Sequence, residues 1–279
     1  FDSYYLNDVS DYSIFSGKKN EVIISENKSS KAINSARHMY NKTVSLNITQ
    51  TDETGLQLNI GGRGLNPRRT SNFNVRQNSY DIAPDPLGYP ESYYTPPFES
   101  LENIQLIRGA ASLQYGTQFG GMINFNIQKP TKNKLIDLTT INTISSYNIF
   151  TNFTRLSSTI NRFSYSSFFK HMKGDGFRPN SDFVSDNFFA FISHDIDSAL
   201  STSLEITYLK YLSHQPGGLT DEMFNADIYQ SNRERNWFEV NWLLYNFKLS
   251  YHLSDRTNAI ISTYYLDAHR FSVGFRSNR

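Results

Sequence analysis

Hydrophobic and polar residues alternate along the second half of the chain with the two-residue period of a β-strand. The clearest run is 241–253; 200–208 repeats it, and 162–171 shows it more weakly. In 241–253 one face carries Leu243, Tyr245, Phe247, Leu249, Tyr251 and Leu253, and the other carries Asn246, Lys248, Ser250 and His252. In 200–208 the apolar face includes Leu204, Ile206 and Tyr208, and the polar face carries Ser203, Glu205 and Thr207. Because alternate side chains point to opposite faces, such strands are expected to have different surroundings on their two sides.

The alternation predicts a series of strands with a regular pattern of connections. The seven predicted strands are 134–145, 148–158, 161–171, 186–196, 200–212, 240–253 and 257–270. Short connections near 159–160, 197–199 and 254–256 alternate with long ones over 172–185 and 213–239. Outer-membrane β-barrels have short turns at one end and longer loops at the other. The first connection, 146–147, should then be an outer loop, and its shortness fits this interpretation least.

The first half of the chain has short predicted strands between segments rich in glycine, proline and asparagine. These strands are Leu56–Ile60, Asn72–Gln77, Ile104–Ile107 and Met122–Ile127. A helix is predicted over 29–40, where a serine can cap the first turn. The five prolines of 83–97 remove backbone donors, so this stretch is expected to be a loop and not an internal strand. Residues 1–28 are expected to be irregular or to form a single strand.

The composition agrees with β-structure that has one polar face. Aromatic residues make up 15% of the 279 residues, yet the mean hydropathy is -0.52. A net charge of +1 gives no basic footprint for nucleic acid, so no nucleic-acid partner is expected. The absence of cysteine excludes a disulfide framework and thiolate metal sites. No run of about 18 apolar residues occurs, so the sequence predicts no transmembrane helix.

No constellation of residues indicates catalysis. The six histidines are scattered, and no metal-binding spacing such as HExxH occurs. A phosphate-binding loop around Gly62 and Gly64 is excluded, because Pro67 and two arginines follow where a helix would be needed. We therefore expect neither an enzyme nor a bound cofactor.

Three stretches of the first half resemble a known family. They are GRGLNPR at Gly62–Arg68, YYTPP at Tyr93–Pro97 and IRGAASLQYGTQFGGMINF at Ile107–Phe125. These stretches resemble the plug domain of TonB-dependent outer-membrane transporters, and within that family they look most like the ferric dicitrate receptor branch. The segments HQPGGLTDEMFNAD and RERNWF of 214–238 are similar to the same branch, which extends the resemblance into the second half.

The resemblance implies a mainly β protein in two parts. Residues 1–130 are expected to form the plug domain, and 131–279 the N-terminal part of a large antiparallel transmembrane β-barrel. Barrels with a plugged lumen have about 22 strands, so seven strands imply a fragment that lacks most of the barrel. The sequence begins at Phe1 with neither an initiator Met nor a charged and then apolar leader, so a signal peptide is expected either to have been removed or to lie outside this stretch. The implied location is the outer membrane of a Gram-negative bacterium, in contact with its lipid.

The function implied by the resemblance is import of a ferric chelate, ferric citrate or another siderophore, with energy supplied through TonB and its inner-membrane complex. Residues Leu6–Val9 lie near the segment that family members offer to TonB as an added strand. Cobalamin and oligosaccharides are alternative cargoes. Two other classes of protein also fit the alternation: an outer-membrane structural or adhesive barrel without transport, and a soluble β-sandwich binding module.

The resemblance also points to candidate site residues. Guanidinium groups bind carboxylate oxygens in a bidentate manner, and tyrosines add hydrogen bonds, which suits an anionic chelate. The expected chelate-binding residues are Arg68, Arg69, Tyr89, Glu91, Tyr93 and Tyr94. Arg63 and Arg108 are implied to lock the plug to glutamates of the inner barrel wall, which we expect in the part of the barrel that the chain lacks. The alternative for these two arginines is a solvated surface charge beside a tight turn.

Aromatic residues cluster where the long connection 213–239 re-enters a predicted strand. They are Trp237, Phe238 and Trp242. Aromatic girdles at the membrane interface are typical of outer-membrane barrels, so we predict a girdle position for these three side chains. A wall that contacts the ligand is the alternative.

Overall fold

The computed structural model describes residues 3–5, 9–10, 13–14, 21–24, 37, 46–50, 55–83, 93–116, 118 and 120–274. These residues form a small N-terminal unit and a large antiparallel sheet. Of the helix predicted over 29–40, only Arg37 is described, and it is helical. No described helix is long and apolar enough to span a membrane.

The N-terminal unit is built from short strands, as its turn-rich sequence predicts. They are β1 (Ser3–Tyr5), β2 (Val9–Ser10), β3 (Ser13–Ile14), β4 (Glu21–Ile24), β5 (Leu46–Gln50), β6 (Leu58–Gly62), β7 (Phe73–Gln77), β8 (Tyr80–Asp81), β9 (Leu101–Ile107) and β10 (Gly121–Ile127). Six of them form one sheet in the order β1-β4-β9-β10-β7-β8, in which β10 and β7 are parallel. The four strands predicted in this half correspond to β6, β7, β9 and β10. The expectation of an irregular or single-stranded start is wrong, since β1 and β4 pair with each other and β4 pairs with β9.

The second half forms a seven-stranded sheet in which each strand pairs with the next in sequence, always antiparallel. We call it the barrel sheet. Its strands are β11 (Asp137–Ser145), β12 (Ile149–Ile160), β13 (Phe163–Gly174), β14 (Phe183–Asp195), β15 (Leu200–His214), β16 (Trp237–Ser254) and β17 (Thr257–Val273). All seven predicted strands are confirmed, with no boundary displaced by more than three residues.

Most long connections of the barrel sheet lie at one end of its strands, and the short ones lie at the other end. The connections 146–148, 175–182 and 215–236 lie at one end, where the amide of Asp175 bonds the carbonyl of Tyr147 at 2.9 Å. The short connections 161–162, 196–199 and 255–256 lie at the other. The predicted alternation is confirmed, with 146–148 as its short exception. The longest connection contains helix α1 (Asp221–Ala226), which Thr220 caps through its side-chain oxygen.

Part of the barrel sheet buries polar side chains and exposes apolar ones. Along β15, Glu205 is 6% exposed and Thr207 is 0% exposed, whereas Leu204 and Tyr208 are each 39% exposed. We call the face that carries Glu205 and Thr207, and that lies against the N-terminal unit, the inner face. Exposed apolar side chains cover the opposite, outer face, as the alternation predicts. This arrangement contradicts a soluble sandwich, which would turn these apolar faces into its core.

Another part of the inner face is apolar and forms one hydrophobic core together with the N-terminal unit. A continuous cluster of buried side chains joins residues of β6, β7 and β10 to residues of the barrel sheet. Its largest members include Phe73 and Phe125 from the N-terminal unit and Phe153, Phe168 and Trp242 from the barrel sheet. The two parts are therefore packed together and not only tethered.

The first residue of β10, Gly121, has a backbone conformation and surroundings that leave no room for a side chain. Gly121 has φ +118°, and a Cβ built on it would lie 2.8 Å from the carbonyl oxygen of Ile107 in the neighbouring strand β9. Positive φ is strained for any residue with a side chain, and the carbonyl belongs to rigid backbone. This glycine therefore lets β10 enter between β9 and β7.

We predict that Gly121→Ala destabilises the N-terminal unit by about 1–3 kcal/mol, the usual cost of a strained backbone position. The measurement is tryptic cleavage of the detergent-solubilised protein at increasing urea. Gly218→Ala is the matched control, because nothing lies within 4 Å of its added Cβ. Equal urea resistance of the two variants would contradict the assignment.

Candidate functional site

The surface most unusual for a soluble fold is the contact between the N-terminal unit and the inner face of the barrel sheet. We call it the inner-face contact. Besides the shared apolar core, it contains buried charged and polar side chains that bond across it. Buried polar groups are costly unless they are paired, so these bonds decide how the two parts fit together.

An ion pair lies at the centre of the inner-face contact. The Nζ of Lys170 donates to both carboxylate oxygens of Glu99, at 2.9 and 3.0 Å. The side chains are 9% and 2% exposed, respectively. Lys170 faces inward from the middle of β13, whereas Glu99 belongs to a 3-10 turn, Phe98–Ser100, that follows Pro97 and leads into β9. Because each charge is buried, neither can lose its partner without a large cost.

A small cavity borders this ion pair. Its volume is about 70 Å³, and it lies between the segment 93–98 and strands β13 to β15. Asn187 lines it from the position directly opposite Lys170 across the β13–β14 pair. The Oδ1 of Asn187 is buried and accepts no hydrogen bond from the part of the chain that the structure describes. The cavity therefore presents an ammonium group and an unused acceptor beside each other.

A second polar cluster forms around Glu205 of β15. One carboxylate oxygen of Glu205 accepts hydrogen bonds from Asn78 Nδ2 at 2.8 Å and from the Tyr80 hydroxyl at 3.0 Å. Asn78 and Ser79 make the two-residue turn between β7 and β8 with φ of 45° and 75°, the positive values that such hairpin turns require. Burial, followed by the nearby negative charge of Glu205, raises the pKa of Tyr80 well above its ordinary value. Tyr80 therefore stays a neutral donor.

Gln77 connects this cluster to Tyr94, one of the predicted chelate-binding residues. Its Nε2 donates to Thr207 Oγ1 of the barrel sheet at 3.1 Å, and its Oε1 accepts a hydrogen bond from the Tyr94 hydroxyl at 2.7 Å. Tyr94 is 1% exposed. The hydroxyl of Tyr94 thus lies inside the inner-face contact.

A third contact involves Tyr93. Arg270 of β17 donates from Nη1 to the Tyr93 hydroxyl at 2.6 Å, and its guanidinium lies 5.7 Å from the centre of that ring. Phe238 and Trp242 pack on the same ring, at centroid distances of 5.5 and 6.4 Å. The prediction of a membrane-interface girdle is therefore wrong for Phe238 and Trp242, which are 8% and 2% exposed on the inner face. Trp237, the remaining member, is half-buried on the opposite face of β16.

The predicted chelate-binding residues divide into three groups. Arg68 is exposed at the start of a 3-10 turn, Arg68–Thr70, which also contains Arg69; the Arg69 side chain lies outside the described residues. Tyr89 and Glu91 lie outside the described residues. Tyr93 and Tyr94 are buried in the contacts given above. A role of this set in chelate binding stays a prediction.

The predicted locking arginines lie at turns of the N-terminal unit. Arg63 is exposed and has φ 60°, and half-buried Arg108 precedes the 3-10 turn Gly109–Tyr115. Their pairing with barrel glutamates stays a prediction. Within the described residues, Glu205 is a wall glutamate that does bond the N-terminal unit, and its partners are Asn78 and Tyr80.

Sequence reasoning identified Tyr93 and Tyr94 as site residues but missed the charged residues of the inner-face contact. Lys170 and Glu205 do stand out in the sequence as charges on the polar face of alternating strands, which places them inward in a barrel. Glu99 gives no such signal, since it follows a proline turn. Only the tertiary pairing identifies it.

Metal binding has no candidate in the described part of the chain, where no group of three or more His, Cys, Asp or Glu residues is close enough to hold an ion.

We predict that Lys170→Met weakens the docking of the N-terminal unit by about 3–5 kcal/mol, because it leaves the Glu99 carboxylate buried and unpaired. The double variant Glu99→Gln/Lys170→Met should lose less than the sum of the two single variants. The measurement is the ion current through the protein in a planar bilayer as urea increases. Lys173→Met is the matched control, since Lys173 is exposed on the outer face of the same strand; additive single and double effects would contradict the pairing.

We predict that Tyr80→Phe weakens the same docking by about 1.5–3 kcal/mol, the usual value of a hydrogen bond to a charged group. The raised pKa of Tyr80 also predicts a pH dependence of plug docking. Just above pH 10.0 an unfolded tyrosine loses its phenol proton, whereas Tyr80 in the folded protein keeps it. The contribution of Tyr80 to the free energy of docking is therefore complete below the ordinary pKa of 10.0 and declines as the pH rises above it. Urea titrations of wild type and variant at pH values on both sides of 10.0 test this; Tyr245→Phe, on the outer face, should change neither property.

A scan against protein-family models gives no match. Solved structures match most of the chain. The ferric citrate transporter FecA in its unliganded form has a TM-score of 0.81 and 21% sequence identity, covering 93% of this chain and 41% of FecA. The ferric yersiniabactin uptake receptor FyuA from Yersinia pestis has a TM-score of 0.72 and 13% identity, covering 90% and 41%. The copper transporter OprC has a TM-score of 0.69 and 15% identity, covering 92% and 38%.

The chain spans about two fifths of the length of these three proteins. The matching structures are outer-membrane receptors that depend on TonB, and their mainly β fold confirms the fold class expected from the sequence. Over the residues that align, the chain has the fold of a TonB-dependent outer-membrane receptor.

Proposed function

We propose that this protein is a receptor in the outer membrane of a Gram-negative bacterium and that it imports a ferric chelate with energy delivered through TonB. Residues 1–130 are its plug domain and 131–279 are the first part of its barrel. The apolar outer face of the barrel sheet contacts lipid. The protein catalyses no covalent step and uses no cofactor.

The inner-face contact is the observation that carries this proposal. A sheet with an apolar outer face, and with buried charged and polar side chains beside an apolar core on its inner face, is suited to a barrel in lipid whose lumen is filled. Here the polar residues of the inner face are bonded by an N-terminal unit of the same chain, as in the pairs Lys170–Glu99 and Glu205–Tyr80. A lumen filled in this way is closed at rest.

A closed lumen requires work to open it for a cargo. The outer membrane has no nucleotide supply, so the energy comes from the inner-membrane proton gradient through TonB, which pulls on a segment at the start of the plug. The segment around Leu6–Val9 is the candidate for this contact, as an added strand on the partner's sheet. Buried polar bonds suit a contact of this kind, because they fix one position while contributing little net stability.

The cargo is an anionic chelate of ferric iron, with ferric citrate as the first candidate. Arg68 is exposed in the Arg68–Thr70 turn, where its guanidinium can bind carboxylate oxygens together with that of Arg69. Tyr89 and Glu91 complete the proposed set. The Tyr93 hydroxyl accepts a hydrogen bond from Arg270 of the barrel sheet, and the Tyr94 hydroxyl donates to Gln77 of the N-terminal unit, so both side chains are held within the inner-face contact. Arg63 and Arg108 lock the plug to glutamates of the wall.

The test of function is calorimetric titration of the detergent-solubilised, full-length protein with ferric citrate, alongside iron-free citrate and an unrelated ferric siderophore. We expect tight binding of ferric citrate only. Binding of the other siderophore only would keep the import of ferric chelates and replace the cargo. If no ferric chelate binds, the proposed cargo class is wrong, and cobalamin, oligosaccharides or a structural role become the alternatives.

We predict that Arg68→Ala/Arg69→Ala weakens the binding of ferric citrate at least about tenfold, because each charge-assisted hydrogen bond contributes about 1.5–3 kcal/mol. The urea resistance of the plug should not change, since Arg68 is exposed. Arg256→Ala, which removes an exposed arginine from the turn 255–256, is the control for general charge effects. Unchanged affinity of the double variant would remove both residues from the site.

A further inference from the structure

The carboxylate of Glu99 occupies a site that belongs to the barrel wall. Lys170 is fixed in the middle of β13, with the neighbouring strands β12 and β14 paired along it. Glu99, in contrast, belongs to the plug and reaches the wall from a turn between Pro97 and β9. If the plug moves, Glu99 moves with it, and Lys170 stays behind. A buried lysine that loses its carboxylate partner attracts another anion strongly.

The surroundings of Lys170 add a second group to this site. Asn187 faces the same cavity from the paired position on β14, is 5% exposed, and has a buried Oδ1 that accepts no hydrogen bond from the described residues. Buried acceptors are nearly always satisfied, so this oxygen is a position for a donor from the cavity, which a water molecule or a ligand hydroxyl can supply. A hydroxycarboxylate has both complements: a carboxylate for Lys170 and a hydroxyl donor for Asn187.

The size of the cavity determines when such a ligand can bind. Its volume of about 70 Å³ is enough for a few water molecules and not for an iron chelate. The plug side of the cavity is formed by Gly55, Leu56 and residues of the segment 93–98. Withdrawal of that segment together with Glu99 enlarges the cavity and exposes Lys170 in one step.

We propose that Lys170 and Asn187 form a carboxylate site on the barrel wall, which Glu99 fills while the plug is seated and a carboxylate of the hydroxycarboxylate cargo fills after the segment 93–99 withdraws. The part that concerns the cargo rests on the proposed function. Exchange of one carboxylate for another keeps the buried ammonium paired throughout. It also gives an anionic chelate a binding position below the plug surface, on its path through the lumen.

The first experiment tests the wall site without transport. In the full-length variant Glu99→Ala, the midpoint of urea-induced plug opening is measured at increasing acetate or glycolate, with chloride holding the ionic strength constant. We expect a saturable rise of the midpoint with both anions, and a larger rise with glycolate because its hydroxyl can donate to Asn187. Wild type, in which Glu99 fills the site, should show no rise.

The control that assigns this effect is Glu99→Ala/Lys170→Met, in which the rise should disappear. An equal rise in that double variant, or none in Glu99→Ala, would overturn the proposal. A rise with acetate that glycolate does not exceed would remove Asn187 from the site.

The second experiment follows transport and does not depend on how well Glu99→Ala folds. In Glu99→Gln/Lys170→Gln two neutral amides replace the ion pair and can still bond each other. We expect the uptake of iron from ferric citrate into cells to fall several-fold, with the dissociation constant of ferric citrate unchanged. Tyr245→Phe, which changes an exposed side chain on the outer face, should not lower uptake. Unchanged uptake in the amide variant would overturn the role in import, whereas a wild type that binds no ferric citrate would overturn the proposed function and leave the acetate result intact.

Discussion

The burial of polar side chains on the inner face of the barrel sheet is the constraint on which the rest of the structure depends. A sheet that exposes Leu204 and Tyr208 and buries Glu205 and Thr207 cannot satisfy its polar groups alone. The N-terminal unit supplies the partners, through Glu99, Asn78 and Tyr80 and through the apolar core around them. The two halves of the chain are thus complementary in chemistry as well as in shape.

The buried polar bonds affect the free energy of the contact differently from apolar burial. An apolar interface of the same extent would be stable and indifferent to small shifts, because the hydrophobic effect is not directional. Buried ion pairs and hydrogen bonds add little net stability but penalise every other arrangement, since a displaced partner leaves a buried charge behind. The inner-face contact therefore specifies one seated position strongly, and a force that removes several partners together can release it.

The fold was largely predictable because its main signal is periodic. Each strand of the barrel sheet has two different faces, so the alternation in sequences such as 241–253 gave strand position and the face of each residue without knowledge of the partners. Phe238 and Trp242 show where this reasoning fails. Their aromatic character fits a membrane interface, yet their place in the alternation puts them on the inner face, where Tyr93 covers them. The aromatic residue type of Phe238 and Trp242 gave the wrong location, whereas their position in the alternation gave the correct face.

The sequence by itself determined the seven strands of the barrel sheet, the faces of their alternating residues and the resemblance of the glycine-rich and arginine-bearing motifs to a receptor plug. All of these depend on residues that are near one another in the chain. Only the tertiary structure decided which buried charged and polar groups meet, because Glu99 and Lys170 are 71 residues apart and Asn78 and Glu205 are 127 apart. Such pairs follow from how the N-terminal unit sits on the barrel sheet, and no local pattern encodes that placement.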